Sequence, residues 1–108
     1  MREKIHSYLG FCKKSGNLIS GYNSCLYGLQ RGKIHLLILT NDLSDNTTDK
    51  FTQLAKVQGI PLRIYGTKET MSEMTGEEDR GIFGITDKNL SAAILQEIDN
   101  DGQNGKRE

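Results

Sequence analysis

The run Ile34-His35-Leu36-Leu37-Ile38-Leu39-Thr40 constrains the fold more than any other stretch of the chain. It is nearly all apolar and too short for a buried helix, and a strand with one wet face would alternate polar and apolar residues, so it reads as a strand covered on both sides. Such a strand needs apolar layers above and below it. Segments with helical periodicity supply them. In residues 20–32, Tyr22, Cys25, Leu26 and Leu29 recur at i, i+3, i+4 and i+7, which places one apolar stripe on an amphipathic helix. Ser20 reads as its N-cap, Arg31 lies in its last turn where a cation suits the helix dipole, and Gly32 stands just past its end.

Ile5, Tyr8, Leu9 and Cys12 keep the same spacing and predict a first helix over about residues 2–15, ended by Gly16. Lys13 and Lys14 fall in its last turn and are expected beside the start of the next helix, across a short connection in which Leu18-Ile19 forms a brief strand. Beyond the apolar run, Asn41-Asp42 and Asp45-Asn46 read as turn and cap residues. A third helix follows over residues 47–58, with Phe51, Leu54, Ala55 and Val57 on one side, and Gly59 and Pro61 stop it. Residues 62–65 read as a strand, and Thr67 caps a short helix carrying Met71 and Met74. Residues 76–81 form a glycine-bounded charged loop before a strand through Ile82, Phe83 and Ile85. Thr86 or Asp87 caps a last helix carrying Leu90, Ala93, Ile94 and Ile98. Strands alternating with helices predict an α/β protein, a three-layer α/β/α sandwich. The expected domain covers residues 1–99, and residues 100–108, with no apolar side chain, are expected to be a disordered tail.

A length of 108 residues suits one domain. No apolar run approaches the roughly 20 residues of a membrane span, and the N-terminus leads into helical periodicity rather than a signal peptide, so a cytoplasmic protein with no membrane partner is expected. Cys12 and Cys25 are far apart, each on an apolar helical face, and read as reduced core thiols. Neither His6 nor His35 stands in metal-ligand spacing. There is no phosphate-clamping lysine-serine or lysine-threonine pair after a glycine loop, and no nucleophile elbow. Neither an enzyme nor a cofactor site is expected.

The chain carries 14 basic and 14 acidic residues, but they are unevenly spread. Residues 1–35 hold Arg2, Lys4, Lys13, Lys14, Arg31 and Lys33 against Glu3 alone, a local excess of five positive charges that the remaining residues reverse. One face can therefore attract a polyanion although the whole is neutral. Gly21 and Asn23 lie in the first turn of the second helix, where unpaired N–H groups and the dipole favour a phosphate. They read equally as ordinary start-of-helix residues. Asn23, Ser24 and Tyr27 share its outward side.

The order Leu9-Gly10-Phe11-Cys12-Lys13-Lys14-Ser15-Gly16-Asn17-Leu18-Ile19-Ser20-Gly21, then Gly32-Lys33, an apolar strand and Asn41-Asp42, resembles the ribosomal protein family of L seven Ae and L thirty e, most closely its small bacterial YlxQ-like branch. The resemblance runs from about Arg2 to Ile98 and includes Ile60-Pro61 and Gly76. It implies a sandwich with a small mixed central sheet and binding to kinked RNA, with the start of the second helix approaching tandem sheared G·A pairs. In that family the helix start typically reads Gly-x-Asn-Glu-x-x-Lys. Gly21 and Asn23 match, whereas Ser24 replaces the glutamate and Tyr27 the lysine. Ser24 loses a carboxylate acceptor, and Tyr27 exchanges a cation for a ring able to stack on an exposed base. Family members also cover unstacked bases with an apolar loop before the last strand. Here that loop carries Glu77, Glu78 and Asp79, with Arg80 alone suited to RNA. The resemblance thus implies a ribosomal or other translation-associated RNA-binding protein, part of a ribonucleoprotein, contacting RNA through Lys13, Lys14, Gly21, Asn23, Ser24, Tyr27, Lys33 and Arg80. The alternative is a protein-interaction module that kept the fold and lost kink-turn recognition.

Overall fold

The computed structural model describes residues 2–101, with five helices and four strands. They alternate as α1 (Arg2–Lys14), β1 (Leu18–Ser20), α2 (Tyr22–Gln30), β2 (Leu36–Leu39), α3 (Asp45–Gln58), β3 (Leu62–Ile64), α4 (Lys68–Thr75), β4 (Ile82–Ile85) and α5 (Lys88–Asn100). The strands form one mixed sheet in the order β1-β4-β2-β3, with β2 parallel to β3 and antiparallel to β4, and β4 antiparallel to β1. All four residues of β2 are buried between neighbours on both sides, as the apolar run requires. Successive side chains alternate across the sheet. Leu36, Ile38, Phe83 and Ile85 join Ile5, Leu9, Cys12, Met71 and Ile94 from α1, α4 and α5, whereas Leu37, Leu39 and Ile82 join Cys25, Leu29, Phe51 and Ala55 from α2 and α3. Two cores, one on each face, make the three-layer sandwich. Among the described residues, no helix is long and apolar enough to cross a membrane.

Helix ends follow local chemistry, with some shifts from expectation. The α3 cap is Ser44, whose hydroxyl accepts from Thr47 N–H at 3.2 Å, so Asp45 serves as a first-turn acid instead. Thr67 and Thr70 form a reciprocal capping box on α4. Asp42 adds an acceptor there, taking the Lys68 N–H at 3.1 Å. Its carboxyl is held below the usual range, chiefly by a hydrogen bond from the Thr40 side chain and also by the Lys68 N–H. Asp87, rather than Thr86, caps α5. That helix runs through Asn100, one residue beyond the expected boundary, and residues 102–108 of the expected tail lie outside the described residues.

Several residues depart from their expected places. Ser20 does not cap α2: it is the last residue of β1, paired with Phe83, and Gly21 occupies the cap position without a side-chain hydrogen bond. Tyr22 is 39 % exposed, because in the first turn it lies beyond the sheet edge and packs edge-on against Phe51 at 5.2 Å. Gly28 takes up the buried stripe with Cys25 and Leu29, where a Cβ would come within 3.0 Å of both Ile19 and Ile34. Its missing side chain lets α2 lie close to the sheet. Val57 is 78 % exposed, since residues 51 and 55 set the buried face of α3 and position 57 turns away from it.

Candidate nucleic-acid interface

Along the strand direction the sheet has two end edges with different chemistry. Where β1, β2 and β3 end and β4 begins, Ser20 opposes Phe83 and Leu39 opposes Ile82. Gly21 turns the chain there into α2, donating its N–H to Ile82 O at 2.9 Å and accepting from Cys25 N–H at 3.0 Å. With φ at 98°, the turn uses a backbone conformation open to glycine and costly for other residues. Cys25 ties the helix start to the sheet from below, its Sγ lying 3.6 Å from both Ile19 O and Ile82 O. Burial pushes its thiol up to about 12, with the Arg80 charge opposing, and burial assisted by Asp87 pushes Cys12 up to about 11. Both thiols are free, buried and protonated at neutral pH.

Arg80 reaches this same point from the other side. A Cβ built on Gly21 would stand 2.5 Å from Arg80 Nη1, so the guanidinium lies against the bare α-carbon at the head of α2. Arg80 is exposed and forms no hydrogen bond or ion pair within the described residues, despite the three acids that precede it. Those acids face elsewhere. Glu77 bridges three elements: Oε2 pairs with Lys13 Nζ, Oε1 accepts from the Ser20 hydroxyl at 3.0 Å, and its N–H donates to Thr75 Oγ1 at 3.1 Å. Glu78 and Asp79 line a separate depression with Asp42, Lys68, Glu69 and Glu73. Asp79 adopts φ of 59°, a left-handed turn that separates the acidic pair from Arg80.

Asn23, Ser24 and Tyr27 are all exposed along α2, and the Asn23 amide and Ser24 hydroxyl have no partner among the described residues. The N–H groups of the first turn receive no side-chain cap, so the positive end of the helix is open beside Arg80. Tyr27 is 60 % exposed and accepts from Arg31 Nη1 at 2.8 Å, with the guanidinium carbon 5.2 Å from the ring centroid. A cation therefore stands at the position where the sequence itself carries a ring. Sequence reasoning missed Tyr22, which rises beside Asn23 with Lys50 Nζ 5.2 Å from its ring. Its place in the very first turn, ahead of the sheet edge, was the available signal.

The structure thus brings Gly21, Asn23, Ser24 and Arg80 together, with Tyr27 one turn on. Lys13 reaches the adjoining loop but is held by Glu77. Lys14 and Lys33 lie elsewhere: Lys14 ends α1 where β1 begins, and Lys33 follows α2 at the opposite edge of the sheet, lining a depression with Gly16, Ile19, His35 and Thr86. Among the described residues, no group of three or more His, Cys, Asp and Glu side chains is placed to hold a metal ion.

These features define a class: a small three-layer sandwich that presents a helix start, amide and hydroxyl side chains and a guanidinium unpaired among the described residues at one sheet edge. The chain belongs to the Ribosomal protein L7Ae/L30e/S12e/Gadd45 family, whose model matches residues 3–95. It is similar to the RNA-binding protein YlxQ of Bacillus subtilis, 22% identical over 91 residues that cover 84% of this chain and 91% of that protein. The YlxQ protein of Enterococcus faecium is 24% identical over 98 residues, covering 91% and 94%. A solved protein of unknown function from Bacillus halodurans superposes with a TM-score of 0.86 at 25% identity, covering 89% of this chain and 97% of its own. The 15.5kD RNA binding protein of Giardia lamblia shares the fold, with a TM-score of 0.74 at 18% identity over 91% of this chain and 86% of its own.

Proposed function

We propose that this protein binds structured RNA through the head of α2, recognising a kink-turn or a similar sharp bend, and that it does so without catalysis, in the cytoplasm, as a ribosome- or translation-associated component. The observation that carries the reading is Arg80, without a hydrogen-bond or ion-pair partner among the described residues and laid against Gly21, beside the N–H groups of α2 that no side chain caps and the exposed Asn23 amide. A guanidinium, a helix dipole and an amide converging on one spot suit a phosphate next to a base edge. The YlxQ relatives, named as RNA-binding proteins, support the same class of partner. Glu77 is already neutralised by Lys13, so the acidic loop repels a phosphate less than its composition suggests. The depression of Asp42, Glu69, Glu73, Glu78 and Asp79 close by favours a second reading, a basic protein partner on the same edge.

Asn23→Ala is expected to cost about 1–3 kcal/mol of discrimination between a kink-turn RNA and the same RNA without its G·A pairs, the usual worth of a good base-edge contact. Tyr27→Ala should lose about 1–3 kcal/mol of affinity through the missing stack, and Tyr27→Phe little. Fluorescence-anisotropy titration of the folded variants checks both. If every variant keeps wild-type affinity and discrimination, the exposed face of α2 does not read RNA.

A further inference from the structure

We infer that the opposite edge of the sheet is a second RNA-contacting surface, which holds a phosphate backbone without reading its bases. The inference rests on the reading that the chain binds RNA and extends it to a surface on the far side of the sheet. That edge, where β1, β2 and β3 begin and β4 ends, gathers the C-terminal ends of α1, α2 and α3 and the start of α5. Lys33 and Lys88 line it, and Lys14 and Lys56 lie in the last turns of two of the helices that end there. Lys33 lines one depression with His35, and Lys88 lines a second, with Gly59 and Ile60, that His35 also borders. None of these four lysines has a hydrogen-bond or ion-pair partner among the described residues.

Helix dipoles explain some of these cations and not others. Lys14 and Lys56 sit in the last turns of α1 and α3, where a cation complements the negative end. Lys88 is the first residue of α5, at the positive end, where a cation is disfavoured. Lys33 lies beyond α2 and outside any helix. Local helix stability accounts for neither. Against four ammonium groups stand the Asp87 carboxylate, which accepts from Leu90 N–H at 2.8 Å, and three helix C-termini of roughly half a charge each. With the α5 N-terminus added, roughly two positive charges remain. The other edge carries the depression of five carboxylates. A polyanion is attracted to the first edge and repelled from that depression, though not from the head of α2 beside Arg80, and the spread of lysines with no convergent acceptor suits a backbone rather than a base.

The test titrates the full chain and its Lys33→Gln/Lys88→Gln variant with a kink-turn RNA and a plain RNA duplex over a range of salt. Two lost phosphate contacts should flatten the slope of log affinity against log salt by about 1.4–1.8 units and weaken both RNAs by about 25- to 60-fold near 0.1 M salt. Discrimination between the RNAs should stay unchanged, and thermal stability should hold or rise, because Lys88 opposes its helix dipole. An unchanged slope in the variant overturns this surface while leaving recognition by α2 intact. Loss of duplex binding in the variant, with a wild type that does not discriminate between the RNAs, supports the surface and removes kink-turn recognition instead. A wild type that binds neither RNA overturns both.

Discussion

Phe51→Ala is expected to remove about 3–5 kcal/mol of stability, a large share of the roughly 5–15 kcal/mol a domain of this size possesses. Phe51 is fully buried in the core under α2 and α3, and its ring also supports Tyr22 edge-on at 5.2 Å. The substitution therefore leaves a cavity on the face that carries the head of α2, and it frees the aromatic ring next to Asn23. Urea denaturation gives the stability change. Phe51→Leu, which keeps most of the volume, should lose much less and fold well enough for RNA titration. A loss below about 1 kcal/mol in Phe51→Ala would mean that α2 and α3 are not packed as described.

Arg80→Ala should produce the largest loss of RNA affinity from a single surface change, about 1.5–3 kcal/mol, or about 10- to 150-fold. The side chain is exposed and makes no hydrogen bond or ion pair with the described residues, so stability should move by no more than about 0.5 kcal/mol. Arg80→Lys should recover part of the loss, since an ammonium restores charge without the planar fork. Equal binding by wild type and Arg80→Ala, measured by anisotropy on the same RNA, would remove the guanidinium from the site.

Much of the fold was legible because its strongest signals are local. The apolar run at 34–40 marked the strand buried between two neighbours, and the helical periods of 5–12 and 90–98 marked one covering layer. Local reading failed where partners are distant in sequence. Ser20 looked like a cap because serine before a helix usually is one, but its hydroxyl is taken by Glu77 across the β1–loop contact. Gly28 carries no hydrophobic signal, although its lack of a side chain sets how closely α2 approaches the sheet. The charge excess in residues 1–35 was real in sequence, yet the fold distributes it: Lys13 goes to Glu77, Lys14 ends α1, and Lys33 goes to the edge away from Asn23. Conversely, Arg80 stood in an acidic stretch and lies at the head of α2 with no ion-pair partner among the described residues, because Glu77 pairs with Lys13 and Glu78 and Asp79 line a separate depression.

The most direct test of the central claim is isothermal titration of the wild-type protein with a kink-turn RNA and with the same RNA whose sheared G·A pairs are replaced by Watson–Crick pairs. Recognition at the head of α2 predicts binding tighter by about 1–3 kcal/mol, roughly 5- to 150-fold, for the RNA that retains its G·A pairs. Equal affinity for the two RNAs would contradict it.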